Sequence, residues 1–384
     1  MIRQAALYLA TADDLAAARV PVVGRPVAFR VIVAAVRAGA RRVGVPAALR
    51  TPELVAALDS SPSARAALVW LDSPGALEFE PTLLVPVAAL APPSVLQAML
   101  QAPPGRVLAD SRRTGAPLLT VEAAQIDALA ATLAAGIPVG DELAKRELTP
   151  LPSCGWFVRV TGPETAAAAE NRLWRELGSP IDTRFDRVVH RRLSRWVTRA
   201  AVALGVGPNA ITAASGLVGL AAAAAFARGD APSLIGGLAL YLVAVVLDHT
   251  DGEVARLSLT ESAVGEWLDI VVDTVVHTAL VLALGLAATR VTGAGLGAGV
   301  VAALGVVASA MVGKVWPPAP SSAGRRRGLD ALTSRDGFYA MLVLFIALRI
   351  GWENQLPALM AVVAAGTHAY WVARLTLLGG RRRA

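Results

Sequence analysis

Hydrophobic positions fall into two regimes along this chain, and the change comes near residue 200. Before it, short apolar runs alternate with stretches of helical period. The runs are Ala5–Ala10, Arg42–Pro46, Ala66–Leu71, Thr82–Val87, Arg106–Ala109 and Pro117–Val121, with a helix over Val27–Ala38. Strands alternating with helices predict a layered α/β domain over residues 1–160. None of these runs reaches the roughly 20 apolar residues that a bilayer crossing takes. After it, six apolar segments approach that length, at about 208–228, 233–257, 262–288, 294–316, 336–350 and 355–378. The fifth is the shortest. The fold class expected is therefore an α-helical membrane domain of six spans, residues 208–384, behind a soluble α/β domain.

Residues 161–207 bridge the two. Glu164–Leu177 is Ala-rich and helical in pattern, and Arg184–Arg199 follows. In the second stretch Phe185, Val188, Val189, Leu193, Trp196 and Val197 recur at three- and four-residue steps among arginines. That pattern predicts a helix lying on an anionic membrane surface with its arginines snorkelling. Basic residues concentrate before the first span, in the loop from Lys314 to Arg335, and in the tail from Arg374 to Arg383. The opposite loops hold only Arg228, Arg290 and Arg349. By the positive-inside rule, this is a multi-pass protein of the cell membrane with both termini cytoplasmic.

Composition narrows the class. Of 384 residues, 55% are hydrophobic and 17% charged, against about 25% charged in ordinary soluble domains. Disorder is excluded, and a wholly soluble protein is disfavoured. The 34 glycines and 24 prolines follow no Gly-X-Y period, so collagen is out. A single cysteine, Cys154, excludes an intrachain disulfide and a cysteine-built metal site. The net charge of +7 in so apolar a chain indicates a basic membrane-facing side rather than a nucleic-acid partner. No secretory signal is evident, since Ala5–Ala10 is short and runs into Asp13 and Asp14. The N-terminal domain is accordingly expected in the cytoplasm.

Spans two and three contain residues that packing does not explain. Asp248, Asp251, Asp269 and Asp273 lie in or beside apolar helices, where each uncompensated charge costs roughly 2.5–3.5 kcal/mol. Asp248 and Asp251 are about 60° apart on one helical face; Gly265, Asp269 and Asp273 step at about 40° on the next. A short turn between the helices would bring the carboxylates together. At close range they repel, so they call for cations, and an all-oxygen set favours Mg²⁺, Mn²⁺ or Ca²⁺ over zinc. Two divalent ions would balance four charges and leave positions for phosphate oxygens. Gly252, Ala255 and Gly265 remove bulk where a nucleotide must approach, and Arg256 supplies a fork-shaped phosphate donor.

The spacing D-x-x-D-G-x-x-A-R, eight residues, G-x-x-x-D-x-x-x-D resembles the signature of the CDP-alcohol phosphotransferases, with every fixed position present. The resemblance covers about residues 180–380. It implies a membrane enzyme that cleaves a CDP-linked donor, CDP-diacylglycerol or another CDP-alcohol. The phosphate-linked group passes to an alcohol or polyol-phosphate acceptor, and CMP is released. It further implies that Asp248, Asp251, Asp269 and Asp273 hold two Mg²⁺ or Mn²⁺ ions. Asp273 is similar to the position that takes the acceptor's proton, and Gly252, Arg256 and Ser262 to contacts of the cytidine diphosphate. A homodimer is implied as well. Pro208-Asn-Ala-Ile-Thr212 resembles the family's stretch beside the nucleotide, though Asn209 and Thr212 suit a helix cap equally well.

Other motif neighbours have plainer readings. His249 is expected on a helix surface, and Glu253 and Glu266 facing water. His277, one turn past Asp273, is within reach of its carboxylate. Lys314 and Arg335 are candidates for an acceptor-phosphate pocket or simply topology-setting charges. Intramembrane aspartates also serve cation- or proton-coupled transporters, the alternative function, although no inverted repeat with broken helices is evident.

The N-terminal domain is similar to sugar-phosphate nucleotidyltransferases, through Val22-Val-Gly-Arg-Pro-Val-Ala-Phe-Arg and Ala38-Gly-Ala-Arg-Arg-Val. It departs from them at Leu9-Ala-Thr-Ala-Asp-Asp14, where a Gly-rich phosphate loop belongs, and at Val85-Pro-Val-Ala-Ala, which lacks a metal aspartate. A degenerate domain without nucleotidyl transfer is expected.

Overall fold

A computed structural model describes residues 1–109, 116–144, 149–152, 155–178, 186–316 and 335–381. The chain forms two compact units, Met1–Leu177 with Leu257–Thr260, and Gly178–Arg256 with Glu261–Ala384.

The first unit is built on a seven-stranded sheet in the order Thr149–Pro150, Arg106–Leu108, Leu118–Val121, Thr82–Pro86, Gln4–Tyr8, Arg42–Pro46, Leu68–Leu71. Gln4–Tyr8 pairs in parallel with both neighbours, and Leu118–Val121 runs antiparallel to both of its own. The central strands are buried along their whole length, so they read as nearly continuous apolar runs rather than alternating ones. Helix Val27–Arg37 buries nine of its residues. A two-residue turn with Val23 at φ 48° and Gly24 at φ 68° leads into it. A β-branched residue at positive φ is costly; the Glu170 carboxylate holds this turn by accepting the Val23 N–H at 3.1 Å.

The loop after the first strand closes on itself. Oδ2 of buried Asp14 accepts from the Ala10 and Thr11 amides at 2.6 and 3.2 Å. Its Oδ1 accepts from Nε and Nη2 of Arg159 at 3.0 and 2.5 Å. Arg159 Nη2 also donates to the Thr11 hydroxyl at 2.8 Å. The sequence showed Asp13 and Asp14 where a phosphate loop belongs; Asp14 turns inward and occupies the loop's own amides.

In the second unit, five helices are long and apolar enough to cross a membrane among the described residues. They are a first long helix Pro208–Arg228, a second Ala231–Ser258, a third Ala263–Thr292, a fourth Leu296–Val315 and a last, Leu356–Arg381. The remaining apolar segment is a helix of 17 residues, Arg335–Gly351. At about 1.5 Å per residue it spans roughly 26 Å, short of a hydrocarbon core of about 30 Å. It therefore does not stand with the other five by length. Glycines in the left-handed region, Gly229 and Gly293, end the first and third helices.

Side-chain size sets how closely the helices approach. A Cβ on Gly216 or Gly219 would sit 2.8 or 2.7 Å from Cγ1 of Val272 or Val276, so only glycine lets the first helix lie this close to the third. Phe226, Tyr241, Leu280, Leu284, Phe345 and Met360 form the interior of the bundle. Leu217, Val243, Leu304 and Val362 point outward, a surface suited to lipid. Arg290 Nη1 donates to Ala227 O at 2.5 Å and Arg349 Nε to Gly229 O at 2.8 Å. These two arginines of the opposite loops thus cap the first helix. They gather the ends of the first, third and 17-residue helices at one end of the bundle.

Candidate active site

The second long helix ends with Asp248, Asp251, Gly252, Ala255 and Arg256, and the third begins with Gly265, Asp269 and Asp273. Ser262 caps the third helix, its Oγ accepting from Gly265 N at 3.0 Å. The hydroxyl expected to meet the nucleotide is thus engaged in starting the helix.

Asp251 is 6% exposed. The Thr212 hydroxyl donates to its Oδ2 at 2.5 Å, and Asp248 and Asp269 lie near enough to act on it electrostatically. A hydroxyl of the first helix thus contacts one buried carboxylate, and acidic groups of the second and third lie within electrostatic reach of it. Asp269 and Asp273 are half-buried. Neither Asn209 nor Thr212 caps a helix: the cap position belongs to Gly207, without a side-chain bond. Asn209 instead has its Oδ1 3.3 Å from where a Cβ on Gly265 would stand. Arg256 folds back over Gly252, its Nη1 3.2 Å from the corresponding position there.

Several neighbours depart from expectation. Glu253 does not face water; it is fully buried. Its Oε1 accepts from Arg191 Nη1 at 2.7 Å and from the Ser194 hydroxyl at 2.9 Å, and its Oε2 from the Thr198 hydroxyl at 2.7 Å. Desolvating a carboxylate is tolerable only with such a set of donors. His249 is no surface histidine either, at 5% exposed. The juxtamembrane stretch is a π-type turn, Asp186–His190, followed by an α-helix Arg191–Ala203. Its polar residues Arg191, Ser194 and Thr198 face inward, while Val188, Leu193 and Trp196 are exposed. Arg191 therefore does not snorkel. His277 meets the backbone of Asp273, with Nδ1 2.7 Å from the carbonyl. A carbonyl only accepts, so Nδ1 carries a proton, and Nε2 lies 3.0 Å from the Tyr241 hydroxyl.

Lys314 donates to Glu266 at 2.5 Å and lies over the Trp267 ring. Arg335 begins the 17-residue helix, and its side chain lies outside the described residues, as do Arg325, Arg326 and Arg327. Sequence reasoning missed Asp186, His190, Arg191, Ser194 and Thr198. Their spacing of four, one, three and four residues is a polar stripe at helical period, and that signal was available.

Asp251 with the Thr212 hydroxyl, and Asp248 and Asp269 within electrostatic reach of it, offer oxygen donors of the kind that hard divalent cations take. The described acidic and imidazole groups whose ligand atoms lie within 4.8 Å of one another belong to a different cluster, Asp186, His190 and His249.

No curated protein matches the chain. Residues 206–366, which hold every position of the aspartate motif, match the family model of CDP-alcohol phosphatidyltransferase. With five helices of membrane-crossing length and this match, the second unit contains a CDP-alcohol phosphatidyltransferase domain at residues 206–366, the domain of a membrane phosphotransferase.

Proposed function

We propose that this domain transfers a phosphatidyl or phospho-alcohol group from a CDP-linked donor to an alcohol acceptor, with release of CMP, in phospholipid or polyol-phosphate lipid synthesis. The observation that carries this is the buried Asp251 carboxylate, held by the Thr212 hydroxyl and within electrostatic reach of Asp248 and Asp269.

Asp248, Asp251, Asp269 and Asp273 would hold divalent cations, Mg²⁺ or Mn²⁺. Bound there, the ions would supply charge neutralisation for the diphosphate and for the departing CMP. Arg256 offers a planar pair of donors to a phosphate, and Gly252, Ala255 and Gly265 leave room for it. Asn209, beside Gly265, would meet the cytidine side. The acceptor oxygen forms a new bond to the transferred phosphorus as the bond to CMP breaks, and the acceptor's proton passes to Asp273. A carboxylate in this role must coordinate weakly, because a bound cation lowers its basicity. Arg335 is the better candidate for an acceptor phosphate, since Lys314 already pairs with Glu266.

Six crossings and cytoplasmic termini remain our reading of topology. The convergence of Arg290 and Arg349 on the end of the first helix supports it, because the 17-residue helix then runs in the same direction as the first and third. Cysteine-accessibility labelling at the loop ends would test it. For the N-terminal domain we infer no nucleotidyl transfer, supported by the Asp14 carboxylate on the amides that a phosphate would need.

The deciding experiment incubates purified protein with radiolabelled CDP-diacylglycerol or a soluble CDP-polyol, candidate acceptors and Mg²⁺. Cation-dependent CMP release with a labelled product supports the proposal. Absence of CMP release with every donor, alongside cation flux in liposomes, would replace it with the transporter.

A further inference from the structure

The buried cluster ahead of the juxtamembrane helix has a chemistry of its own. Asp186 and His190 stand one turn apart in Asp186–His190, and His249 reaches them from the second long helix. His190 Nδ1 is 2.9 Å and His249 Nε2 3.3 Å from the same oxygen, Oδ1 of Asp186. Around a tetrahedral ion with bonds of about 2.0–2.1 Å, ligand atoms stand about 3.3 Å apart. All three residues are 5% exposed or less. The imidazoles meet edge to face, 5.7 Å between centroids, and the Tyr339 ring packs against His190 at 5.4 Å. Behind His249, Nδ1 lies 3.7 Å from the Asp248 carboxylate, the side from which carboxylates orient ligating histidines.

We propose that Asp186, His190 and His249 form a second metal site, separate from the aspartate motif and suited to a borderline ion such as Zn²⁺. Two imidazole nitrogens with one carboxylate select zinc or a similar transition metal, whereas the all-oxygen aspartates select Mg²⁺ or Mn²⁺. The role is structural. The ion fastens residues 186–190 to the helical turn bearing Asp248 and Asp251, next to the Arg191–Glu253 pair. The site stands on its own geometry and does not depend on the transferase reaction.

The test uses full-length, tag-free protein in detergent, stripped with chelator and dialysed against Co²⁺. The expected result is a visible absorption band of four-coordinate Co²⁺ that Zn²⁺ bleaches and Mg²⁺ does not. His190→Gln and His249→Gln are expected to lose that band, while Asp269→Asn retains it. Elemental analysis after Zn²⁺ loading should show one ion fewer per chain in the histidine variants. Wild-type protein lacking the band overturns the proposal even if the variants fail to fold. A band that persists in both histidine variants overturns it as well, as does one lost only with Asp269.

Discussion

The Thr212 hydroxyl donates to Oδ2 of Asp251 at 2.5 Å, joining the second turn of one long helix to the C-terminal part of the next. Both residues are buried. The bond fixes one carboxylate of the motif before any ligand arrives, and a hydrogen bond to a charged group is worth about 1.5–3 kcal/mol. Thr212→Val should therefore slow CMP release by roughly one to two orders of magnitude. Thr212→Ser should recover most of it. Equal rates for Val and wild type would remove Thr212 from the site.

Asp251→Asn and Asp269→Asn each keep shape and remove one charge from the proposed cation cluster. Both are expected to abolish CMP release while the thermal unfolding profile in detergent stays close to wild type. Near-normal turnover in either would sink the cation assignment.

Removing Glu253 attacks a different bond. Its carboxylate collects three donors from the helix Arg191–Ala203, so Glu253→Ala removes the buried carboxylate that Arg191, Ser194 and Thr198 share. Breaking one side of a buried ion pair costs about 3–5 kcal/mol. Thermal unfolding in detergent should fall clearly for Glu253→Ala and for Arg191→Ala. The double variant should fall less than the sum of the two. Strict additivity would mean that the pair does not couple the two helices.

Asp14→Ala in the first unit should cost a similar amount, again about 3–5 kcal/mol, because it strands Arg159. Hydrogen exchange on the full chain is the measurement. Faster exchange at the Ala10 and Thr11 amides, with the membrane helices unchanged, is expected. Unaltered exchange there would show that Asp14 does not hold the loop.

Gly219→Val places a side chain where a Cβ already meets Val276 at 2.7 Å. Overpacking of this kind costs about 1–3 kcal/mol. Because the first helix would be pushed off the third, a loss of CMP release should accompany the fall in stability. Val276→Ala should restore part of both; no rescue would put the defect elsewhere.

The strands and helices of the first unit were legible because long apolar periods survive any tertiary arrangement. Arg42–Pro46 and Thr82–Pro86 appear almost where the pattern placed them. The same holds for Pro208–Arg228. The aspartate motif was legible for a related reason, since carboxylates in an apolar helix stand out by their cost. Other residues misled. Glu253 and His249 occupy variable motif positions, and the sequence assigned them to the surface. The arginines of the juxtamembrane helix looked alike, yet Arg191 turns inward and Arg192 outward.

The linear order of residues by itself determined an α/β layer ahead of a helical membrane bundle, with four carboxylates at helical spacing near its end. Those facts depend on local period and on the cost of charge in hydrocarbon, and both are properties of short segments. Tertiary structure alone decided which polar groups are sheltered: Glu253 by Arg191, Asp14 by Arg159, Asp251 by Thr212. Each of these pairs joins residues 39 to 145 positions apart. Whether a buried charge finds a donor depends on three-dimensional contact, which no local pattern encodes.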